Sequence, residues 1–252
     1  MVAGADHNFK LWERPSRMTI ETYYKHLYHV DPYDMDNVRI RYFGDNSAKA
    51  YATGIELRLF SELVKDAESW VSIGLMRTME KINDFYYYRY KNMAGEWISA
   101  QTEDQAVADS VRFNKGWMRR PTDRLFTFGM FFQDYLSTNK NFKVHLNMVY
   151  GSGMPYNIPG SIRYRNGLII DPYIRADIGF SALLLSSSKA NRRSHHPFRK
   201  FDNIWASLEV FNLLDRDNTI SYLLIKDFSN TVYAIPNRLT PRLFNFKILA
   251  RF

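Results

Sequence analysis

Apolar residues in this chain recur at every second position, in segment after segment, and only a β-sheet with two chemically different faces accounts for that spacing. Phe244, Phe246, Ile248, Ala250 and Phe252 share one face of a final strand, with Asn245, Lys247 and Arg251 on the other. Residues 142–150 set Phe142, Val144, Leu146, Met148 and Tyr150 against Lys143, His145 and Asn147. Residues 124–133 set Phe126, Phe128, Met130 and Phe132 against Thr127, Gly129 and Gln133. Ile55, Leu57 and Leu59 oppose Gly54, Glu56 and Arg58, while Ile174, Ala176, Ile178 and Phe180 oppose Arg175, Asp177 and Ser181. Less regular versions occupy 17–28, 70–77 and 204–214. The fold class expected is therefore all-β and antiparallel.

Two kinds of sheet give this pattern. A soluble sheet buries one face in a core; a membrane sheet presents one face to lipid and the other to a wet lumen. Charged residues alternating with Phe over so many strands favour the second. Aromatic residues make up 16% of the chain, which suits a wall with aromatic girdles at both lipid interfaces. No stretch approaches the roughly 18 consecutive apolar residues of a membrane helix. There is no cysteine, so disulfides, thiolate metal sites and cysteine nucleophiles are excluded. A net charge of +8 raises the question of nucleic acid. Apart from a cluster at Lys189–Lys200, however, the basic residues are spread through strands and loops, which argues against that partner.

The alternation places about nine strands at 5–13, 17–29, 49–62, 69–81, 123–135, 141–153, 172–185, 203–214 and 242–252. Their connections alternate in length. Arg14-Pro15-Ser16, 63–68 and 136–140 are short; 30–48, 82–122, 154–171 and 215–241 are long; and 186–202 is intermediate. Short turns at one end and long loops at the other are the pattern of outer-membrane barrels. An odd number of strands does not close a bacterial barrel, and an open edge in lipid leaves unpaired backbone groups. Residues 1–10 also lack a basic stretch followed by an apolar one, so a secretory signal is expected either to have been removed or to lie on other sequence. Both features lead to the expectation of a partial barrel.

Five short motifs resemble one family, the TonB-dependent outer-membrane transporters. Pro172-Tyr173-Ile174-Arg175-Ala176-Asp177-Ile178-Gly179 resembles that family's P-Y-x-R-x-D-x-G strand, and Gly151-Ser152-Gly153-Met154-Pro155 its G-x-G-x-P strand exit. Asn212-Leu213-Leu214-Asp215 is similar to an N-L-F-D element, Ala52-Thr53-Gly54-Ile55-Glu56 to an A-x-G-x-E strand start, and Arg242 to Phe252 to the closing strand, with Pro241 where Gly is usual. The resemblance implies an antiparallel transmembrane β-barrel segment, the last part of a 22-strand barrel. It also implies an N-terminal plug, and often a carboxypeptidase-regulatory-like domain, outside this sequence. The implied partners are outer-membrane lipid, the barrel-assembly machinery, the TonB complex acting through the plug, and a nutrient ligand. No cofactor and no catalysis are implied. The alternatives are a self-contained barrel of eight or ten strands, serving as adhesin, structural protein or enzyme, and a soluble β-sandwich.

Candidate sites follow from this frame. Phe244, Phe246, Ile248, Ala250 and Phe252 resemble the C-terminal signal read by the assembly machinery, or form an ordinary last strand. Glu56, Arg58, Lys143, His145, Asn147, Arg175 and Asp177 face the lumen, where they line a path or simply pair with one another; Arg175 and Asp177 suit a structural ion pair. Tyr86, Tyr87, Tyr88, Arg89 and Tyr90 either contact ligand from a long loop or continue a strand above the membrane. Asp31, Asp34 and Asp36 lack calcium-loop spacing and read as a solvated acidic loop. His26 and His29 fall on opposite strand faces, against a shared metal. His195 and His196 lie in the basic stretch, read as a long turn near anionic head groups. Gly151-Ser152-Gly153 lacks the Gly-Lys-Ser/Thr of a phosphate loop, and no Ser-His-Asp or paired-carboxylate motif has local support.

Overall fold

The computed structural model describes residues 1–64, 67–136, 139–158, 160–186, 201–229 and 231–251. Nine long strands form one antiparallel meander: β1 (Val2–Leu11), β2 (Arg14–Val30), β5 (Ala48–Val64), β6 (Ala67–Ile82), β10 (Phe126–Tyr135), β11 (Phe142–Gly151), β14 (Tyr173–Ser186), β15 (Asn203–Phe211) and β18 (Leu243–Arg251). Each pairs with the previous long strand in sequence, and no helix occurs among the described residues. Among the described residues the order ends at β1 and β18, which do not pair with each other, so the sheet is open and no closed barrel is seen.

Register carries the alternation across the whole sheet. Phe132, Leu146, Ile178, Val210 and Phe244 stand opposite one another in successive strands, and so do Val144, Phe180, Leu208 and Phe246. On the far side of the meander, Met130, Val71, Leu59 and Met18 make a similar row. Because strand side chains alternate between faces, these rows build one continuous apolar face. The other face carries Glu56, Arg58, Lys143, His145, Asn147, Arg175 and Asp177.

Burial is inverted relative to a water-soluble core. Only six hydrophobic residues are buried among the described residues, against fifteen polar or charged ones. Large apolar side chains are normally the ones taken out of water. Here Phe180, Leu208, Phe246 and Ile248 stay exposed, while Asp177 and Ser207 behind them are buried. No second large sheet covers the apolar face among the described residues, as a β-sandwich requires; the other sheets have two strands each.

At one end the connections are short, with one shift from expectation. The first turn is Trp12-Glu13, both residues at positive φ, and Arg14-Pro15-Ser16 already belongs to β2. The pairing of β2 with β5 begins only at Ser16, so Pro15 costs no hydrogen bond on that side. The 186–202 connection falls almost wholly outside the described residues. At the other end the long connections are not irregular loops, and each carries its own two-stranded hairpin. The first holds β3 (Tyr33–Asp36) and β4 (Arg39–Tyr42), and the third holds β12 (Pro155–Tyr156) and β13 (Leu168–Ile169). The second holds β7 (Tyr86–Lys91) and β8 (Asp109–Asn114), with the short β9 (Met118–Arg119) returning to β6. The fourth holds β16 (Thr219–Lys226) and β17 (Val232–Arg238).

Candidate ligand-binding face

The long connections meet over the end of β6, where an acidic side chain has been drawn out of water. Glu80 is wholly buried and lies 3.3 Å from the buried guanidinium of Arg165 and 3.5 Å from that of Arg120. Arg165 also reaches Asp34 at 2.5 Å and donates to the Tyr33 carbonyl at 3.0 Å. Its guanidinium lies over the rings of Phe43 (4.6 Å) and Phe85 (5.5 Å). One arginine of the third connection thus holds parts of the first and second against the sheet. Burial pushes the Asp34 carboxyl above its usual value, against the pull of Arg165 and Arg41.

Two further knots complete this assembly. Asp123 is buried, accepts from the Thr78 amide at 2.7 Å and from Arg77 at 2.9 Å, and lies 3.6 Å from Arg119. Asn37 of the first hairpin is hydrogen-bonded to Ser221 and Asn237 of the fourth. The Tyr156 and Tyr222 rings pack at 5.0 Å between the third and fourth connections. Such contacts make a preorganised platform, the usual setting for recognition by loops.

The aromatic run does not continue β6 within the large sheet. It forms the separate strand β7, and pairing with β8 splits it between two faces. Tyr86, Tyr88 and Tyr90 share one face, with Tyr86 under the Arg112 guanidinium (3.6 Å) and Tyr88 and Tyr90 half-exposed. Tyr87 stacks on Phe113 (5.7 Å), and Arg89 lies over Trp97 (4.2 Å). The five residues are therefore two surfaces rather than one patch. The reading of Asp34 as a solvated acidic residue is also corrected, since it is an ion-pair partner of Arg165. Arg165 and Glu80 were missed. They are 85 positions apart, and nothing near either one signals the other.

On the polar face the expected residues pair at short range. Arg58 donates to Glu56 at 2.8 Å. Lys143 lies over Tyr135 and Trp205, at 4.9 and 4.8 Å. His145 and Lys247 approach Glu209 at 3.9 and 3.7 Å, around a cavity of about 400 Å³ that Lys143 also lines. Asn147 stands opposite Asp177 in register. The His145 ring occupies the space that a side chain on Gly179 would need, so that glycine is required by close approach. Phe244, Phe246, Ile248 and Ala250 lie on the apolar face of β18, the first three strongly exposed. Phe252, His195, His196 and the whole basic cluster at 189–200 lie outside the described residues.

Three sequence-distant motifs interlock at the loop end of β14 and β15. Arg175 donates to Asp177 at 2.7 Å, and the same carboxylate oxygen accepts from the Asn212 amide at 2.8 Å. Asn212, at positive φ, donates onward to the carbonyls of Arg216 and Thr240. The Arg242 amide donates to Asp215 at 2.9 Å. In the glycine motif, a side chain on Gly153 would collide with the Ile170 carbonyl. Because hydrogen bonds to charged groups are worth about 1.5–3 kcal/mol, Asp177→Ala should lower stability by about 2–3 kcal/mol. It should also loosen the 212–242 closure, measurable as faster amide exchange at Asn212 and Arg242. Unchanged exchange would make the interlock incidental.

Comparison with protein-family models, with curated proteins and with solved structures gives no match for this chain.

Proposed function

We propose that this chain is part of the barrel wall of a TonB-dependent outer-membrane receptor, which imports a scarce nutrient such as a siderophore, vitamin or glycan. The observation that carries the reading is the inverted burial of a nine-strand meander: apolar side chains exposed over one face, polar ones sheltered on the other. Lipid is the surrounding in which such a face is satisfied, and water or a plug covers the polar side. The structured connections at one end supply the outward ligand platform, as the resemblance implies. The open edges at β1 and β18 would leave unpaired backbone groups in lipid, so in this reading they are covered by further strands of a larger barrel.

In this role the chain acts as wall, lumen lining and binding surface, not as a catalyst. Capture of ligand by loops and plug is followed by pulling on the plug by the TonB complex. Its partners are outer-membrane lipid, the barrel-assembly machinery acting on the closing strand, and the nutrient; nucleic acid is not among them. Immunoblotting of fractionated envelopes tests the assignment. A 22-strand barrel with its plug should run at about 75–110 kDa in the outer-membrane fraction and shift on heating. A band near the chain's own 29.8 kDa in that fraction would instead mean a self-sufficient small barrel, and recovery without detergent would sink both readings.

A further inference from the structure

Beside the Arg165 hub lies a cavity of about 460 Å³, within the range of small-molecule sites. Lys115, Arg119 and Arg165 line it, together with the rings of Tyr87 and Trp117, and no carboxylate does. The nearby acids are already engaged: Asp123 with Arg77 and Arg119, Glu80 and Asp34 with Arg165. Lys115 has no acidic partner among the described residues and donates to the Arg163 carbonyl at 2.5 Å. Arg165 is almost fully buried, and its Nε has no hydrogen-bond partner. Burial first, and then the neighbouring Arg165, push the Lys115 ammonium below its usual value.

The walls complement that charge with flat surfaces. Trp117 is half-exposed, with its ring held edge-on to Tyr51 at 5.2 Å, and Tyr87 is fixed by stacking on Phe113. Holding these rings before a ligand arrives lowers the ordering cost of binding. Lys115, the lining cation with no carboxylate partner among the described residues, draws anions ahead of neutral solutes.

We infer that this cavity is a binding site for an anionic ligand with a flat aromatic body, its carboxylate or phosphate on Lys115 and Arg119 and its ring against Trp117 and Tyr87. The inference rests on the receptor reading and narrows its substrate to an aromatic acid or aryl phosphate.

The test uses the full-length protein in detergent, with benzoate and phenyl phosphate as probes and benzyl alcohol and benzylamine as controls, followed by Trp quenching and ligand-observed NMR. Benzoate or phenyl phosphate should bind, and whichever binds more tightly identifies the anion; neither control should compete. Lys115→Met should weaken binding about tenfold, the loss of one charge-assisted hydrogen bond, whereas Lys115→Arg should restore most of it. Trp117→Leu should remove most of the quenching. Equal binding to wild type and Lys115→Met, or benzylamine binding as well as benzoate, overturns the site. If the protein fractionates as a large outer-membrane barrel and neither anion binds, the site falls and the receptor reading stands. If the protein is water-soluble and still binds benzoate through Lys115, the site stands and the receptor reading falls.

Discussion

Arg165→Met should dismantle the loop platform while leaving the nine-strand sheet in place. The substitution removes the closest cation from a fully buried Glu80 and leaves only Arg120, at 3.5 Å. Breaking a buried ion pair from one side typically costs about 3–5 kcal/mol, because the remaining charge is stranded in low dielectric. In the receptor reading, the loops should then be cut by added protease in intact cells at sites protected in the wild type, while the full-length protein stays in the outer-membrane fraction. Glu80→Met should be comparably damaging, since it leaves Arg165 buried with only Asp34. The double variant Glu80→Met/Arg165→Met decides the cause. If stranded charge is the problem, two apolar side chains of similar size should recover most of the loss. If the double variant is as open as the sum of the singles, Arg165 acts through its contacts with Tyr33, Asp34, Phe43 and Phe85, and the ion pair with Glu80 is secondary.

The contrast between sheet and platform also explains what the sequence revealed. Every long strand was legible because its signal is local: Phe244 to Ala250 alternate within one segment, and a one-residue slip in register would turn every one of them to the wrong face. The polar-face residues were legible for the same reason. The hairpins in the first and third long connections were not, since β3, β4, β12 and β13 have four residues or fewer, too short to show a period. Nor was the Trp12-Glu13 turn, where neither residue is one that favours positive φ. The Arg165 hub is invisible for a different reason. It is defined by Asp34, Glu80 and Arg120, which come from three parts of the chain, and only the meander topology brings them together. Arg175 and Asp177 stand in between: their mutual pair follows from the i, i+2 spacing, but the third partner, Asn212, follows only from the position of β15.

If the apolar face meets lipid, the effect of an added charge there must depend on depth. Strand β15 has nine residues, close to the 9–11 that cross a bilayer core, and presents Ile204, Ala206, Leu208 and Val210 on that face. Leu208 sits between Phe180 and Phe246 in the middle of this band. Leu208→Arg should cost about 2–4 kcal/mol in refolding titrations into phospholipid vesicles, and Ile204→Arg about 0–1 kcal/mol near the interface. Gln133→Arg, on the polar face beside the His145 cavity, supplies the control. It adds the same charge to a wet environment and should shift stability by no more than about 0.5 kcal/mol. A peaked profile along β15 with a flat response at Gln133 requires a low-dielectric slab on one side of the sheet only. In water the prediction is the reverse: Leu208 is already half-exposed, so arginine there should be neutral and no dependence on position should appear. A uniform small response at Ile204, Ala206, Leu208 and Val210 would therefore remove lipid as the partner of this face and require a protein surface in its place.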